Sequence, residues 1–590
     1  MRKQTKLVAV ASAAALLAIG ASMTSFAATG WVEEDGQWYY YDKDGNRVED
    51  EWKKSGDNWY WLDSEEGGAM AVDKLIEDDD DIYYVDANGV MVKNTWVKVV
   101  NEEQDDEEDP AEYNYYYMQS NGKAYKAGDN ANTRFKTIDG KRYAFDTDGK
   151  MLYGWVNEDA TRATDESEWE KATYYLGNWD DGAMKTGWQK ITVYDDIEDD
   201  DMEYWFNFKS NGKKRFLDTD SSSYNGSDYI MEKKINGKKY AFDERGVMTY
   251  EWTEIASTAT AAKTTGWKYF SDPEDGARKT KGWFKVVAPN EDNTFKDYGD
   301  HTFAADHADD ESEKWYYANG DGELATAEIK KIKGKYYGFR PEDGKKSGAM
   351  LTGLCFIQVD DKTGEIYSVK EEDMDSDFLE DIIDGKYDSM IANGYSLYYF
   401  GNDADSDGAM KTGSVTINLD GDSYNFYFNK TGGAEGKGRG ANGIDDGKYI
   451  YKAGVKIKAD SDDKYIVAQA TGDIGSKNVT VKKIDSSDLR ADAVEAGQNK
   501  DGDTVRYNKT AFDTTYYLVN TSGNIVKSKT AAKDGDDWYF YVEDKNIKMY
   551  TNSKTLKDKE SEGYKLNVNF DNWKDWVTPE PKAEADTDAE

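Results

Sequence analysis

Few side chains in this 590-residue chain have the type and spacing for bond-making chemistry. The two histidines are His301 and His307, both in an acidic stretch. A zinc-dependent hydrolase needs several nitrogen or sulfur ligands at close spacing, and a His-x5-His pair among loop aspartates falls short of that. The single cysteine, Cys355, sits in the apolar run "GLCFIQV". Such surroundings suit a buried structural thiol, whereas a nucleophilic thiolate needs a basic neighbour; one cysteine also excludes an intramolecular disulfide framework. Glycosidase chemistry needs only two carboxylates, and Asp and Glu number 117, but no segment offers a scaffold to hold a chosen pair. "DADSDGAMKTGS" imitates a calcium loop through Asp403, Asp405, Asp407 and Gly408. Its twelfth position is Ser414, where such a loop places a bidentate glutamate, so a turn is the preferred reading. No cofactor is expected beyond weak calcium capture by the acidic loops. What the chain has in abundance is ring faces, with 44 Tyr and 18 Trp gathered around glycine turns, as in "YYLGNWDDGAMKTGWQK" from Tyr174.

Those rings recur as doublets or triplets from end to end: "WYYY" from Trp38, "WYW" from Trp59, "YWF" from Tyr204, "WYY" from Trp315 and "WYFY" from Trp538 among them. The tightest spacings are about 20 residues, and wider gaps read as the same unit carrying an insertion. A unit this short cannot enclose a core of its own. In "GWVEEDGQWYYYDKDGN", Trp31 opens one strand, Asp35-Gly36 turns it, and Trp38 to Tyr41 forms the second. Asp-Gly between alternating aromatic runs is a strong hairpin signal, because the glycine accepts the positive φ that such turns need. A lone hairpin is marginal in water. The expected fold is therefore all-β, a solenoid of stacked β-hairpins that bury shared ring faces.

Other segments decorate this plan. Residues 1–27 carry Arg2, Lys3 and Lys6, then an apolar run from Leu7 to Ala21 and small residues at Ser25 and Ala27, the pattern of a cleaved signal peptide. Export follows, with no membrane insertion after cleavage and only noncovalent attachment to the cell. The acidic stretches Asn101–Glu112, Tyr194–Glu203 and Pro289–Glu313 are expected to protrude as loops. Repeats are assigned to 28–353 and, in more degenerate form, to 395–550, with a tail at 551–590. Between the repeat blocks, 354–394 reads as an insertion holding a short helix, because Met374, Phe378, Leu379, Ile382 and Ile383 fall at helical spacing. "SSDLRADAVEAG" from Ser486 is a second helix candidate. The formal charge of −42, with no basic patch, makes nucleic acid and anionic membrane poor partners.

The units "GWVEEDGQWYYYDKDGN" and "GNWDDGAMKTGW" resemble the choline-binding or cell-wall-binding repeats of Gram-positive surface proteins, related to repeats in glucan-binding proteins and clostridial toxin tails. The similarity covers about Gly30 to Tyr550. The resemblance implies a protein held on the wall through teichoic-acid choline or polysaccharide. It also implies that the Trp of each Gly-Trp strand, a ring of the following Trp-Tyr-Tyr strand and a residue of the next repeat surround a choline headgroup. Carried onto this sequence, the ligand-binding candidates are Trp31, Trp38 and Tyr39; Trp52 and Trp59 with Met70; Trp188 and Trp205 with Met184; and Trp283 with Trp315. Physical chemistry agrees, since a quaternary ammonium donates no strong hydrogen bond and is best held by ring faces at roughly 0.5–2 kcal/mol each. The same rings can instead serve only to stack hairpin on hairpin.

Several units depart from the pattern. In "KTIDGKRYAF", "KKINGKKYAF" and "KKIKGKYYGF" the first-strand Trp reads as replaced by Ile138, Ile235 and Ile332, and the last third is the most degenerate. Three functional classes follow: a noncatalytic wall-binding surface protein, which is preferred; a glycan-binding adhesin or toxin-like receptor module; and a hydrolase with its active site in an insertion.

Overall fold

Turn chemistry sets the architecture. In the computed structural model, Gly30–Glu34 pairs antiparallel with Gln37–Tyr41, Trp31 opposite Tyr40 and Glu33 opposite Trp38. The two turn residues both have positive φ, 51° at Asp35 and 83° at Gly36, the two-residue geometry that matches the twist of the flanking strands. Lys136–Ile138 with Lys141–Tyr143, Met231–Ile235 with Lys238–Phe242, and Glu328–Ile332 with Lys335–Phe339 repeat the same hairpin. The structure describes residues 29–102, 111–128, 132–196, 199–255, 267–287, 313–341, 348–401, 407–432, 436–474, 479–498, 503–508 and 515–554. The signal-peptide expectation, His301, His307, Asp403, Asp405 and nearly all of the 551–590 tail lie outside them.

The all-β expectation holds. Most sheets are two-stranded hairpins. Among the described residues the α-helices are short: Ser376–Asp384, Asp388–Ala392 and Ser486–Ala491. Asp375 caps the first, accepting from the Phe378 N–H, and Gly385 closes it in the left-handed conformation. None of these helices is long and apolar enough to cross a membrane. The chain divides into two units, one of Met1–Thr249 with Asp272–Gly276 and the other of Tyr250–Ser271 with Ala277–Glu590.

Inside each unit one backbone bond recurs between neighbouring hairpins. After each second strand the chain turns through a glycine, and the residue two beyond that glycine donates its N–H to the preceding hairpin. Met91 donates to the carbonyl of Trp59, Met151 to Tyr115, Met184 to Arg142, Met248 to Trp205 and Met350 to Trp315, all at 2.7–2.9 Å. This position, called the slot here, lies under the turn glycine of the following unit: a Cβ added at Gly212 would collide with the Met184 sulfur, and one at Gly276 with that of Met248. Stacked hairpins of the expected kind need such neighbour-to-neighbour ties.

Three departures have physical causes. Tyr194–Glu203 is not a protruding loop: the strands run on through Gly187–Asp195 and Asp200–Phe208, and only the tip turns. Alternating residues bury Ile191, Val193 and Tyr204, which makes pairing cheaper than a free loop. The isoleucines do not replace a tryptophan. Ile138, Ile235 and Ile332 sit beside the turn, opposite Lys141, Lys238 and Lys335, three places further along the strand than Trp31. In the first of these units the ring facing the next hairpin is Phe135, 5.1 Å from Tyr174. Third, 354–394 begins inside a hairpin, since Leu354–Val359 pairs with Tyr395–Tyr399 and the helices fill the space between. There Leu354, Phe356, Leu379, Ile382 and Leu397 share a core.

Five-stranded sheets occur near both ends of the repeats, over residues 30–70 and 413–456, and residues 465–551 form an eight-stranded sheet. In the two sheets beyond residue 413 the packing changes. Their cores are largely aliphatic, with Val467, Leu518, Val542 and Ile547 in one cluster and Ile450, Ile457, Val481 and Val519 in another. A wide sheet can bury such residues, whereas a two-stranded ribbon cannot.

The slot packing sets a test. Gly212 and Gly237 have nearly equal φ, 88° and 90°, but only Gly212 faces a methionine. Alanine at either position carries the left-handed cost of about 1–2 kcal/mol. Gly212→Ala should cost about 1–3 kcal/mol more than Gly237→Ala through overpacking, measured by urea denaturation.

Candidate ligand site: aromatic cages between hairpins

The first-strand ring of a unit meets the second-strand ring of the next at nearly constant geometry. Trp31 lies 5.3 Å from Tyr60, Trp52 5.1 Å from Tyr83, and Trp96 4.9 Å from Tyr143. Trp188 lies 4.7 Å from Tyr240, and Trp252 and Trp283 each 4.8 Å from Tyr316 and Tyr337. Interplanar angles run from 59° to 72°, the edge-on arrangement aromatic quadrupoles prefer. These contacts are packing. A ligand needs the faces they leave open.

Among the described residues, two units set a second indole nearly perpendicular to the first. Trp205 stands opposite Lys190, one diagonal step from Trp188 on the same side of the hairpin. The two indoles are 6.4 Å apart and 85° from parallel, forming a corner. Trp283 and Trp315 form the same corner at 6.3 Å and 85°. Tyr240 or Tyr337 supplies the third wall, and a buried phenylalanine, Phe242 or Phe339, stacks behind the first indole at 5.7 Å. The indoles and the wall tyrosines are half-buried. A methyl-substituted ammonium resting in such a corner meets two or three ring faces at once.

A carboxylate stands beside the first of these corners, and another meets the Trp52 indole. The Trp205 indole N–H donates to Glu274 at 3.2 Å, and the Trp52 N–H donates to Asp78 at 3.0 Å. Lys190, and then Trp205, hold the Glu274 carboxyl below its usual range, so it stays ionised beside the corner. Negative charge at the rim raises the local attraction for a cation.

The candidates fall as follows. Trp188 with Trp205 and Trp283 with Trp315 are brought together as read from the sequence. Trp52 and Trp59 share one cluster with Tyr83 and Met91. Trp31 and Trp38 project from the same face of their hairpin, but Tyr39 projects from the other, where its ring carries the Arg47 guanidinium at 4.0 Å. The methionines are displaced by one repeat. Met70 neighbours Ala69, which pairs with Tyr39 of the first hairpin, and Met184 is tied to Arg142 and packs with Tyr174. The slot residues of the three Trp pairs are Met91, Met248 and Met350, the last in one cluster with Trp283, Trp315 and Tyr337. Sequence reasoning missed these methionines and the wall tyrosines. The usable signal was position: the slot always lies two residues after a turn glycine.

Elsewhere, the Cys355 side chain is fully buried, and burial pushes its thiol well above the usual range. Its S–H points to the Thr352 carbonyl at 3.1 Å, the structural role expected of it. Among the described residues no group of three His, Cys, Asp or Glu is placed to hold a metal ion.

Residues 28–74 match the choline-binding repeat family model, and residues 74–91, 133–151 and 310–324 match a cell wall binding repeat model. These segments thus match choline-binding and cell wall binding repeats, in agreement with the resemblance read from the sequence. Similar solved structures include choline-binding protein F from Streptococcus pneumoniae, 18% identical, covering 68% of this chain and 97% of that one at a TM-score of 0.30. The choline-binding domain of CbpL from the same organism is 20% identical over 52% of this chain and 99% of its own, at 0.21. The S. pneumoniae modular autolysin LytC is 18% identical at 0.28, covering 53% of this chain; the match spans 51% of the autolysin, about half its length. No curated protein matches the chain.

Removing Trp188 or Trp283 takes a ring from three or four others, so each change to Ala should destabilise its unit by about 3–5 kcal/mol. Trp205→Ala or Trp315→Ala removes the second indole of its corner, away from the stacking contact with the next hairpin, and its cost should be smaller. Denaturant midpoints of the four variants check this ranking.

Proposed function

We propose that this chain is a noncatalytic, secreted surface protein that holds itself on the bacterial wall by gripping choline-substituted teichoic acid in its aromatic cages. The observation that carries the reading is the perpendicular indole corner with a third wall from the next hairpin, repeated at Trp188–Trp205–Tyr240 and Trp283–Trp315–Tyr337. The choline-binding repeats and the ionised rim support it. A single cage is weak, but several on one chain raise avidity by about 10²- to 10⁴-fold, enough to retain a protein on a polymer that repeats its ligand. The net charge of −42 favours the cationic headgroup over the naked phosphate backbone. Wall polysaccharide is the competing ligand, because sugars also stack on tyrosine and tryptophan faces.

Two measurements test this. Protein bound to isolated choline-bearing walls should elute with excess choline chloride; retention in choline with release by glucan would sink the choline assignment. Trp205→Ala combined with Trp315→Ala should lower wall retention more than either change alone. Each lost face is worth roughly 0.5–2 kcal/mol, about 2- to 30-fold in the affinity of its own site. Clearing of wall material in a zymogram would overturn the noncatalytic part.

A further inference from the structure

The hairpin that precedes the Trp188 unit also brings two indoles together, at 40° where the open corners stand at 85°, and fills the space beside them. Trp155 lies 5.0 Å from Phe206 of the next hairpin, as Trp188 meets Tyr240. The second-strand position that carries Trp205 or Trp315 elsewhere is Thr173 here. The missing indole comes instead from Trp169 on the short helical turn Glu168–Glu170, 6.2 Å from Trp155. In the slot, where the neighbouring cages have Met91, Met248 and Met350, this unit has Lys214, whose backbone N–H reaches the Thr173 carbonyl at 2.8 Å.

Lys214 is 2% exposed. Its Nζ stands 5.2 Å from the Trp155 ring and 5.9 Å from the Trp169 ring. It donates to the carbonyls of Trp169 and Glu170, both at 2.8 Å. Arg245, 5.8 Å over the other part of Trp169, is held by Asp195 at 2.9 Å and Asp243 at 3.0 Å. The Tyr204 hydroxyl also donates to Asp195.

We propose that Lys214 is an internal ligand: it occupies its aromatic cage in the place an external quaternary ammonium takes in the Trp188 and Trp283 cages, and so closes this repeat to choline. The inference rests on the choline reading for the neighbouring cages and deepens it, because it names a residue that sets how many sites the chain offers. The chemistry separates the two occupants. A primary ammonium has N–H groups to give the two carbonyls; a quaternary headgroup has none. A choline entering this cage would have to displace a tethered side chain and sit beside the Arg245 charge. Burial pushes the Lys214 pKa down to about 7, against the pull of Asp243 and Glu170. The neutral amine fills the same space, so the cage stays closed on both sides of that pH.

The test is the stoichiometry of choline chloride uptake by equilibrium dialysis. Lys214→Met restores the slot residue of the open cages and should add one equivalent per chain relative to wild type, while Lys214→Arg should add none. An unchanged stoichiometry in a folded Lys214→Met protein would overturn the inference. If that variant does not fold, 5-fluorotryptophan in the wild type keeps the question open to measurement. Choline should shift the fluorine resonances of Trp188 and Trp283 and leave those of Trp155 and Trp169 in place; a shift at Trp155 and Trp169 sinks the proposal. A wild type that takes up no choline counts against the wall-binding reading, and a one-equivalent gain in Lys214→Met would still support the internal-ligand role.

Discussion

The contact on which the rest depends is the edge-on meeting of a first-strand ring with the second-strand ring of the next hairpin. It recurs at 4.7–5.3 Å from Trp31 to Trp283. A two-stranded ribbon has no second layer, so without this contact its apolar face would lie in water. Each aromatic pair adds about 0.5–1.5 kcal/mol beyond the area it buries. The slot N–H bond is the backbone counterpart, and it fixes the offset at which successive hairpins touch. Ring and bond together explain why the chain spends tyrosine and tryptophan where other folds use leucine. Only a large flat side chain reaches across the gap between neighbouring hairpins and still presents a face on its far side.

The ligand corner is a by-product of that stacking. Once Trp188 is pinned edge-on to Tyr240 and backed by Phe242, its remaining face has one direction left to look. A second indole one diagonal step away, Trp205, meets that face at 85°. The wall therefore belongs to two repeats at once, and a cage exists only where both units keep their rings. This ties binding to folding. The ring that orients the site is also the ring whose loss unstacks the hairpins, so a site survives degeneration of the repeat only as long as the packing does.

Much of this was legible from residue order. Asp-Gly turns between aromatic runs located the hairpins, and the Trp188–Trp205 and Trp283–Trp315 pairings followed from the motif. Three things were not legible. Face assignment failed at Tyr39 because a triplet of rings necessarily splits between the two sides of a strand. The methionines were assigned to the wrong cage because the slot residue, two places after its turn glycine, reaches back through a long-range backbone bond to the preceding hairpin. Finally, Trp169 stands on a short helical turn between strands, where no repeat template places a ring. Acidic composition also misled at Tyr194–Glu203, since charged residues on the outer face of a long hairpin look the same in sequence as a solvated loop.

The contrast between filled and open cages comes down to where spare carbonyls lie. In the Trp205 and Trp315 corners the second indole is on a regular strand, and its carbonyl already accepts the slot N–H of Met248 or Met350. In the Trp205 corner the nearby Glu274 carboxylate already takes the Lys190 ammonium at 2.9 Å and the indole N–H at 3.2 Å, and burying an under-bonded ammonium is costly. In the Trp155 cage the second indole sits on a short helical turn, whose carbonyls lie within reach of a side-chain ammonium; that of Trp169 also accepts from the Ala172 N–H at 3.3 Å. Trp169 and Glu170 offer theirs to Lys214, and the acidic residues Glu170 and Asp243 offset part of the charge. Both cases pair two indoles with a ring of the next hairpin, the indoles at 40° in the filled cage and 85° in the open corners. The backbone beneath them decides whether the chain supplies a cation of its own to the rings.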